Sequence, residues 1–386
     1  MDVSKTDKHE RNSNFELLRI IAMFAIVLGH MSAQAFDRDV LTVGSNAFLY
    51  IVGSGSRFAV NLFLMIGIWF MVDSYFKAER IVRLYGALWF YSVFITVALL
   101  LAGCQIGLGN VISSFFPILR RRMWFVPQYL TLMIISPFLN ILFNRLNKKS
   151  AKLLIVVGII FISLICSLRS FEDNWLDGFV WFIFMYFVIS YYKRYGFDFR
   201  IKHRIWYLLL GAGVYFFLSG GLAISYSIGN RFEKALIVGS VLRQYLGDYK
   251  SLPNFIGSLL IFIYFAEFDI GKKRWINEIS KNTLDVYMIH QQDAFIPIIW
   301  VDLFQTKTWQ KSPYFLLFYV ATGVLIYAVS SMIGRLRMRF LDPVWYNNKV
   351  YFFLCNKIDS LYCPLVSLQR GTEACTSIHS HADSYD

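Results

Sequence analysis

Ten apolar runs follow one another along this chain, most of them near the length that crosses a bilayer as a helix, with charges gathered in the stretches between them. Inside a bilayer every backbone polar group needs a partner within its own segment, so runs of this kind fold as helices. The sequence therefore predicts an all-α integral membrane protein of about ten transmembrane helices. The runs cover 14–36, 58–72, 84–103, 123–143, 153–168, 178–192, 205–230, 252–268, 283–303 and 314–334. A shorter piece at 235–246, interrupted by Arg243, reads as an interfacial or re-entrant helix. With this count, Lys and Arg are more numerous in the loops on the side of the N-terminus. The positive-inside rule then makes both the N and C termini cytoplasmic. Three regions result: a cytoplasmic N-terminal lead at 1–13, a multispan membrane domain at 14–340, and a cytoplasmic tail at 341–386.

Composition narrows the partners. Hydrophobic residues make up 57% of the chain, and the formal net charge is +13. In a soluble protein that charge would suggest nucleic acid, but here the basic inner loops account for it, and no basic and aromatic ladder accompanies it. The expected surroundings are the lipid bilayer, with no nucleic acid. Five cysteines without paired spacing give no disulfide framework. Cys355, Cys363, Cys375, His379 and His381 in the tail match no zinc spacing, so no metal is expected. The first run is not a cleavable signal peptide, because charges intrude on it and further spans follow.

Those intruding charges are the sharpest local signal. The run NFELLRIIAMFAIVLGHMSAQAF holds Glu16, Arg19 and His30, each costly at membrane depth unless it faces a cavity or a partner. Eleven positions at ~100° per residue bring Arg19 and His30 to within roughly 20° of one another on the helix, about 16 Å apart along its axis. Glu16, three residues before Arg19, sits close enough for a contact on the same face. Glu16 is too far from His30 to orient its ring, at about 21 Å, and so belongs with Arg19. A plainer account also fits this spacing: a snorkelling pair at the water boundary and a satisfied interior histidine.

The motifs that follow sharpen the choice. RNSNFELLRIIAMFAIVLGH resembles the opening of the bacterial membrane acyltransferase family called acyltransferase 3, which includes surface-polysaccharide O-acetyltransferases. That family carries an acidic residue, then Arg or Lys, ten residues, and a His in the first span; Glu16, Arg19 and His30 match it position for position. Arg80 and Arg83 in ERIVRLY resemble its Arg-x-x-Arg after the second span. MWFVPQYL, with Trp124, resembles its outer Trp-Phe element, and KNTLDVYMIH, with Tyr287 and His290, its late Tyr-x-x-His stretch. One departure stands out. Where many members place Ser-Gly in the second span, this chain has Ile66 and Gly67, so no role for that serine carries over. The chain after Arg339 also lacks the extracellular hydrolase-like domain of fused members.

The resemblance implies a membrane O-acyltransferase, in the first place an O-acetyltransferase, of the bacterial cytoplasmic membrane. It would move an acyl group from cytoplasmic acetyl-CoA, or another short acyl-CoA, to a hydroxyl of a cell-surface or lipid-linked polysaccharide. His30 would be the catalytic group, as general base or as nucleophile, with Glu16 contributing through Arg19. Arg19, Arg80 and Arg83 would hold the CoA phosphates, since the planar guanidinium suits phosphate; Tyr287 and His290 would line the donor path. Trp124 and Arg122 would bind the acceptor outside. Each has a blander reading: a positive-inside loop for Arg80 and Arg83, an interior histidine for His290, an interfacial anchor belt for Arg122 and Trp124. Two other functions share the polar stripe, a proton-coupled transporter or flippase of glycan or lipid precursors and a non-catalytic partner of a polysaccharide assembly.

Overall fold

The structure is a computed structural model that describes residues 12–72, 74, 76–119, 123–166, 175–198, 201–229 and 245–370. These residues contain helices and no strand. In chain order the helices are α1 (Ser13–Gln34), α2 (Val43–Val72), α3 (Ala78–Leu101), α4 (Leu108–Ser114), α5 (Phe125–Arg145), α6 (Lys148–Gly158) and α7 (Trp175–Tyr195). They continue with α8 (Ile205–Gly229), α9 (Leu252–Glu267), α10 (Arg274–Ser280), α11 (Thr283–His290), α12 (Phe315–Leu336) and α13 (Lys349–Arg370).

Among the described residues six helices are long and apolar enough to cross a membrane, at Ser13–Gln34, Val43–Val72, Ala78–Leu101, Phe125–Arg145, Ile205–Ile224 and Phe315–Tyr346. They match six of the ten predicted runs. The other four runs are helical too: α7 is an unbroken helix of 21 residues with Lys193 and Arg194 in its last turn, α6 passes into wide π-type turns at Ile159–Cys166, and α9 has 16 residues. The run at 283–303 is not one helix. It stops at His290 and resumes as π-type turns at Ile298–Leu303. Gln291 and Gln292, both buried, occupy the break. Such irregular backbone is tolerated at membrane depth only inside protein.

The second helix starts at Val43, whereas the sequence suggests a start at Phe58. Its Gly- and Ser-containing first half, which reads as a loop, is helix because small residues let two helices touch. A side chain begun at Gly29 of α1 would lie 2.1 Å from the Ser56 Cβ, and the Ser32 hydroxyl donates to the Leu49 carbonyl at 2.8 Å. These contacts also fix the register: α2 runs antiparallel to α1, with residue 56 level with residue 29.

The start of α1 is pinned to the segment after α9. Asn14 donates to the Phe268 carbonyl and accepts from the Ile270 N–H at 2.9 Å, while Ser13 donates to Asn277 at 2.9 Å. The start of α1, the end of α2, the start of α3 and α10 thus share one face of the bundle, called here the N-terminal face.

The tail packs back on the bundle. The last long helix continues through π-type turns to Leu341, and α13 follows to Arg370. Phe76 stacks on Tyr362 at 3.7 Å, and Asp359 accepts from the Ala78 N–H at 2.8 Å. That carboxylate satisfies a donor that the first turn of α3 leaves unpaired. Cys363 is disulfide-bonded, contrary to the reading of unpaired cysteines.

Candidate active site

His30 and His290, 260 positions apart in the chain, meet at 2.9 Å between His30 Nδ1 and His290 Nε2. Each is positioned by its own surroundings. His30 sits on α1 between the Gly29–Ser56 contact and the Leu28 carbonyl, to which the Tyr319 hydroxyl donates. His290 is the last residue of α11 and is fully buried, and its Nδ1 lies 2.6 Å from the Val286 carbonyl one turn back.

The protons of the neutral pair follow from those two distances. A carbonyl only accepts, so His290 Nδ1 carries the hydrogen and its Nε2 is a lone pair. That lone pair takes the hydrogen of His30 Nδ1. The second nitrogen of His30, Nε2, is left as an unprotonated lone pair on a half-buried ring. A tautomer assigned from its hydrogen-bond network in this way makes His30 Nε2 the basic and nucleophilic atom of the site.

The short helix that delivers His290 is anchored by a buried ion-pair network. Arg337 Nη2 lies 3.2 Å from Asp285 Oδ1 and Nη1 lies 2.6 Å from Asp342, while Nε donates to the Tyr91 hydroxyl at 3.0 Å. Gly334 permits this closeness, since a side chain begun there would lie 2.7 Å from Asp285 Oδ2. On the other side of His290, Gln34 donates to Gln291 at 3.2 Å and accepts from Trp300 Nε1 at 3.2 Å. The broken segment is thereby tied to α1 one turn beyond His30.

At the N-terminal face, Glu16 is buried and receives both bonds of the Arg19 guanidinium, at 2.8 and 3.1 Å. That is the pairing the sequence implies. Arg80 donates to Ser74 at 2.8 Å. Arg83 differs: it pairs with Glu79 at 2.6 Å, donates to the Tyr351 hydroxyl at 3.2 Å and lies over the Tyr346 ring at 4.3 Å. Its guanidinium is thus shared between Glu79 on its own helix and two tyrosines of the tail, and its side chain stays 49% exposed.

Between Arg19 and His30 runs a row of packed aromatic rings, of which the sequence reading named Tyr287 but not Tyr129. Tyr129 is within electrostatic reach of both Arg19 and Arg80. Its ring is stacked with Phe125 at 5.8 Å, Phe125 meets Tyr287 edge-on at 6.2 Å, and Tyr287 lies 6.0 Å from the His30 ring. Gly67 lets Tyr129 lie across α2, because a side chain begun there would be 2.5 Å from its hydroxyl. The neighbouring Ile66 is fully buried, so the departure from serine places an apolar group in the core. The one advance signal for Tyr129 was its place in the MWFVPQYL stretch.

Trp124 stacks on Tyr249 at 5.3 Å and meets Phe125 at 5.9 Å, on the opposite side of the site from Arg19. Arg122 lies outside the described residues. Among the described residues no group of His, Cys, Asp or Glu is placed to hold a metal ion.

This arrangement joins a histidine pair, through a row of packed aromatic rings, to Arg19 and Arg80 at one face. A family model described as an acyltransferase domain matches residues 12–335, a span that takes in His30, Arg19, Arg80, Tyr129 and His290. No curated protein and no solved structure matches the chain. With most of its length matched, the chain belongs to the acyltransferase 3 family and is a multi-pass membrane acyltransferase that transfers groups other than amino-acyl groups.

Proposed function

We propose that the protein is an O-acyltransferase, with acetyl-CoA or another short acyl-CoA as donor and a hydroxyl of a cell-surface or lipid-linked polysaccharide as acceptor. The N-terminal face is then cytoplasmic, with about ten crossings in the bacterial inner membrane and both termini inside. Arg19 and Arg80 hold the donor phosphates, and the pantetheine arm follows Tyr129, Phe125 and Tyr287 inward. The separation of about 16 Å along α1 between Arg19 and His30 suits an arm of that length.

The observation that carries the reading is the His30–His290 pair, which leaves His30 Nε2 unprotonated. Nε2 takes the proton of the acceptor hydroxyl as its oxygen attacks the thioester carbonyl. A C–O bond forms, the C–S bond breaks, and the proton passes from the imidazolium to the departing thiolate, so that ester and CoA are the products. General-base assistance of this kind contributes about 10² to 10⁴ in rate.

His290 acts through His30 and is a positioning residue. His290→Ala removes the acceptor for His30 Nδ1–H, and kcat is expected to fall about a hundredfold with donor KM unchanged. His290→Gln, whose amide oxygen can accept the same hydrogen, is expected to recover a large part of that loss. Equal rates for the two variants would assign His290 to packing alone.

Gly67 tests this path. In Gly67→Ala the added methyl meets the Tyr129 hydroxyl and ring edge at 2.5 and 2.7 Å, which narrows the path. Donor KM is expected to rise about tenfold, roughly 1.4 kcal/mol of binding, with kcat little changed. An unchanged donor KM would place the donor elsewhere. The reading as a whole is tested by acceptor-dependent release of CoA thiol from purified protein in proteoliposomes. Glycan movement driven by a proton gradient with no thiol released would replace it with transport.

A further inference from the structure

The antiparallel register of α1 and α2 places one more cation deep in the bundle. Ser56 is level with Gly29, so Arg57 lies at the depth of His30. An arginine there is costly unless it faces water or a partner. Among the described residues Arg57 has no carboxylate within ion-pair distance and no hydrogen-bond acceptor. The carboxylate whose charge it feels is Asp248, and that group is occupied. Asp248 accepts from the Lys250 N–H at 2.9 Å and lies 3.6 Å from Lys250 Nζ.

The guanidinium has a defined direction. It would lie 3.4 Å from the first atom of a side chain built on Gly247, so it points at the backbone of 247–250. One turn further along α2, Asn61 donates to the Tyr249 carbonyl at 2.7 Å and accepts from Trp181 Nε1 at 3.0 Å. Tyr249 in turn stacks on Trp124. Arg57 therefore stands beside the Trp124–Tyr249 stack, which leads through Phe125 and Tyr287 to His30 from the side away from Arg19. Arg38 stands on the same side, held by the Ser32 hydroxyl at 3.1 Å and by Asn46 at 3.3 Å, over the Tyr50 ring at 4.5 Å. Arg57 thus lies within electrostatic reach of Arg38 on one side and of Asp248, which Lys250 accompanies, on the other.

We propose that Arg57 is the anion-binding residue of the acceptor site. It pairs with a carboxylate or phosphate carried by the acceptor glycan, while the exposed part of Trp124 packs on a sugar ring. The inference rests on the acyl-transfer reading and adds to it that the acceptor is acidic. Arg57 would hold such a group with two parallel N–H donors, as arginine does for carboxylate and phosphate alike.

The test uses full-length protein in proteoliposomes with acetyl-CoA and three acceptors. They are an oligosaccharide bearing a uronic acid, its carboxyl-reduced twin, and the same neutral sugars on a prenyl diphosphate. Wild type is expected to use one anionic acceptor with kcat/KM about tenfold above the neutral one, and the better of the two tells sugar carboxylate from lipid phosphate. Arg57→Gln is expected to remove that preference, leaving the rate with the neutral acceptor and the binding of CoA within twofold; Arg57→Lys should keep part of it. Three results would overturn the proposal: no preference in wild type, a preference that survives Arg57→Gln, or CoA binding lost with acceptor use, which would assign Arg57 to the fold. Absence of thiol release with every acceptor would remove the acyl-transfer reading together with this one.

Discussion

His30→Ala is expected to lower acceptor-dependent thiol release at least about a thousandfold, because the variant loses the base that takes the acceptor proton. Protein level and thermal stability should stay near wild type. The His30 ring is only half-buried, and among the described residues its one side-chain hydrogen bond is to His290. The measurement is the initial rate of thiol release at matched amounts of protein, with CoA binding as the control. CoA binding should persist, since Arg19 and Arg80 stand at the other end of the row of rings. A variant that keeps more than a tenth of the wild-type rate would move the chemistry to another group.

The largest effect on stability is expected from Arg337→Ala. Arg337 and Asp285 side chains are 10% and 6% exposed, and the arginine also holds Asp342. Removing one partner leaves buried charge uncompensated, which costs about 3–5 kcal/mol. Thermal unfolding in detergent should show a single large drop in midpoint, with transfer lost as well, because α11 carries both Asp285 and His290. Adding Asp285→Asn removes one of the stranded charges, and the double variant should recover a good part of the midpoint. An Arg337→Ala midpoint close to wild type would mean that water or lipid headgroups reach this network.

Much of the site's first half was legible along one helix. Glu16 and Arg19 pair because they stand three residues apart, and the shared face of Arg19 and His30 follows from eleven residues of helix. The motif spacing also marked His290, but not what it touches. Only the packing of α11 against α1, fixed by Arg337 and by the Gln34–Gln291 bond, brings its ring to His30. Arg83 reads as a donor ligand by its place in Arg-x-x-Arg. That spacing gave no sign of its neighbours in the tail, the Tyr351 hydroxyl on α13 and the Tyr346 ring just before it.

Arg57 was hidden for a different reason. The stretch around it is rich in Gly and Ser, which in water marks a loop, whereas between membrane helices the same residues mark a close contact. Once Gly29 and Ser56 touch, a charge that reads as a loop arginine lies inside the bundle. Tyr129 escaped notice because a tyrosine in an apolar run is ordinary, and only Gly67 on the facing helix gives it room.

The central claim is that an acyl group enters from the N-terminal face and leaves at His30 onto an acceptor on the other side. Labelled acetyl-CoA sealed on the N-terminal face of oriented proteoliposomes, with acidic glycan only on the opposite face, tests it most directly. The account predicts labelled ester on the glycan, in step with thiol release on the donor side, and none when the donor is moved to the glycan's side. Labelling that is indifferent to the side of the donor would contradict it.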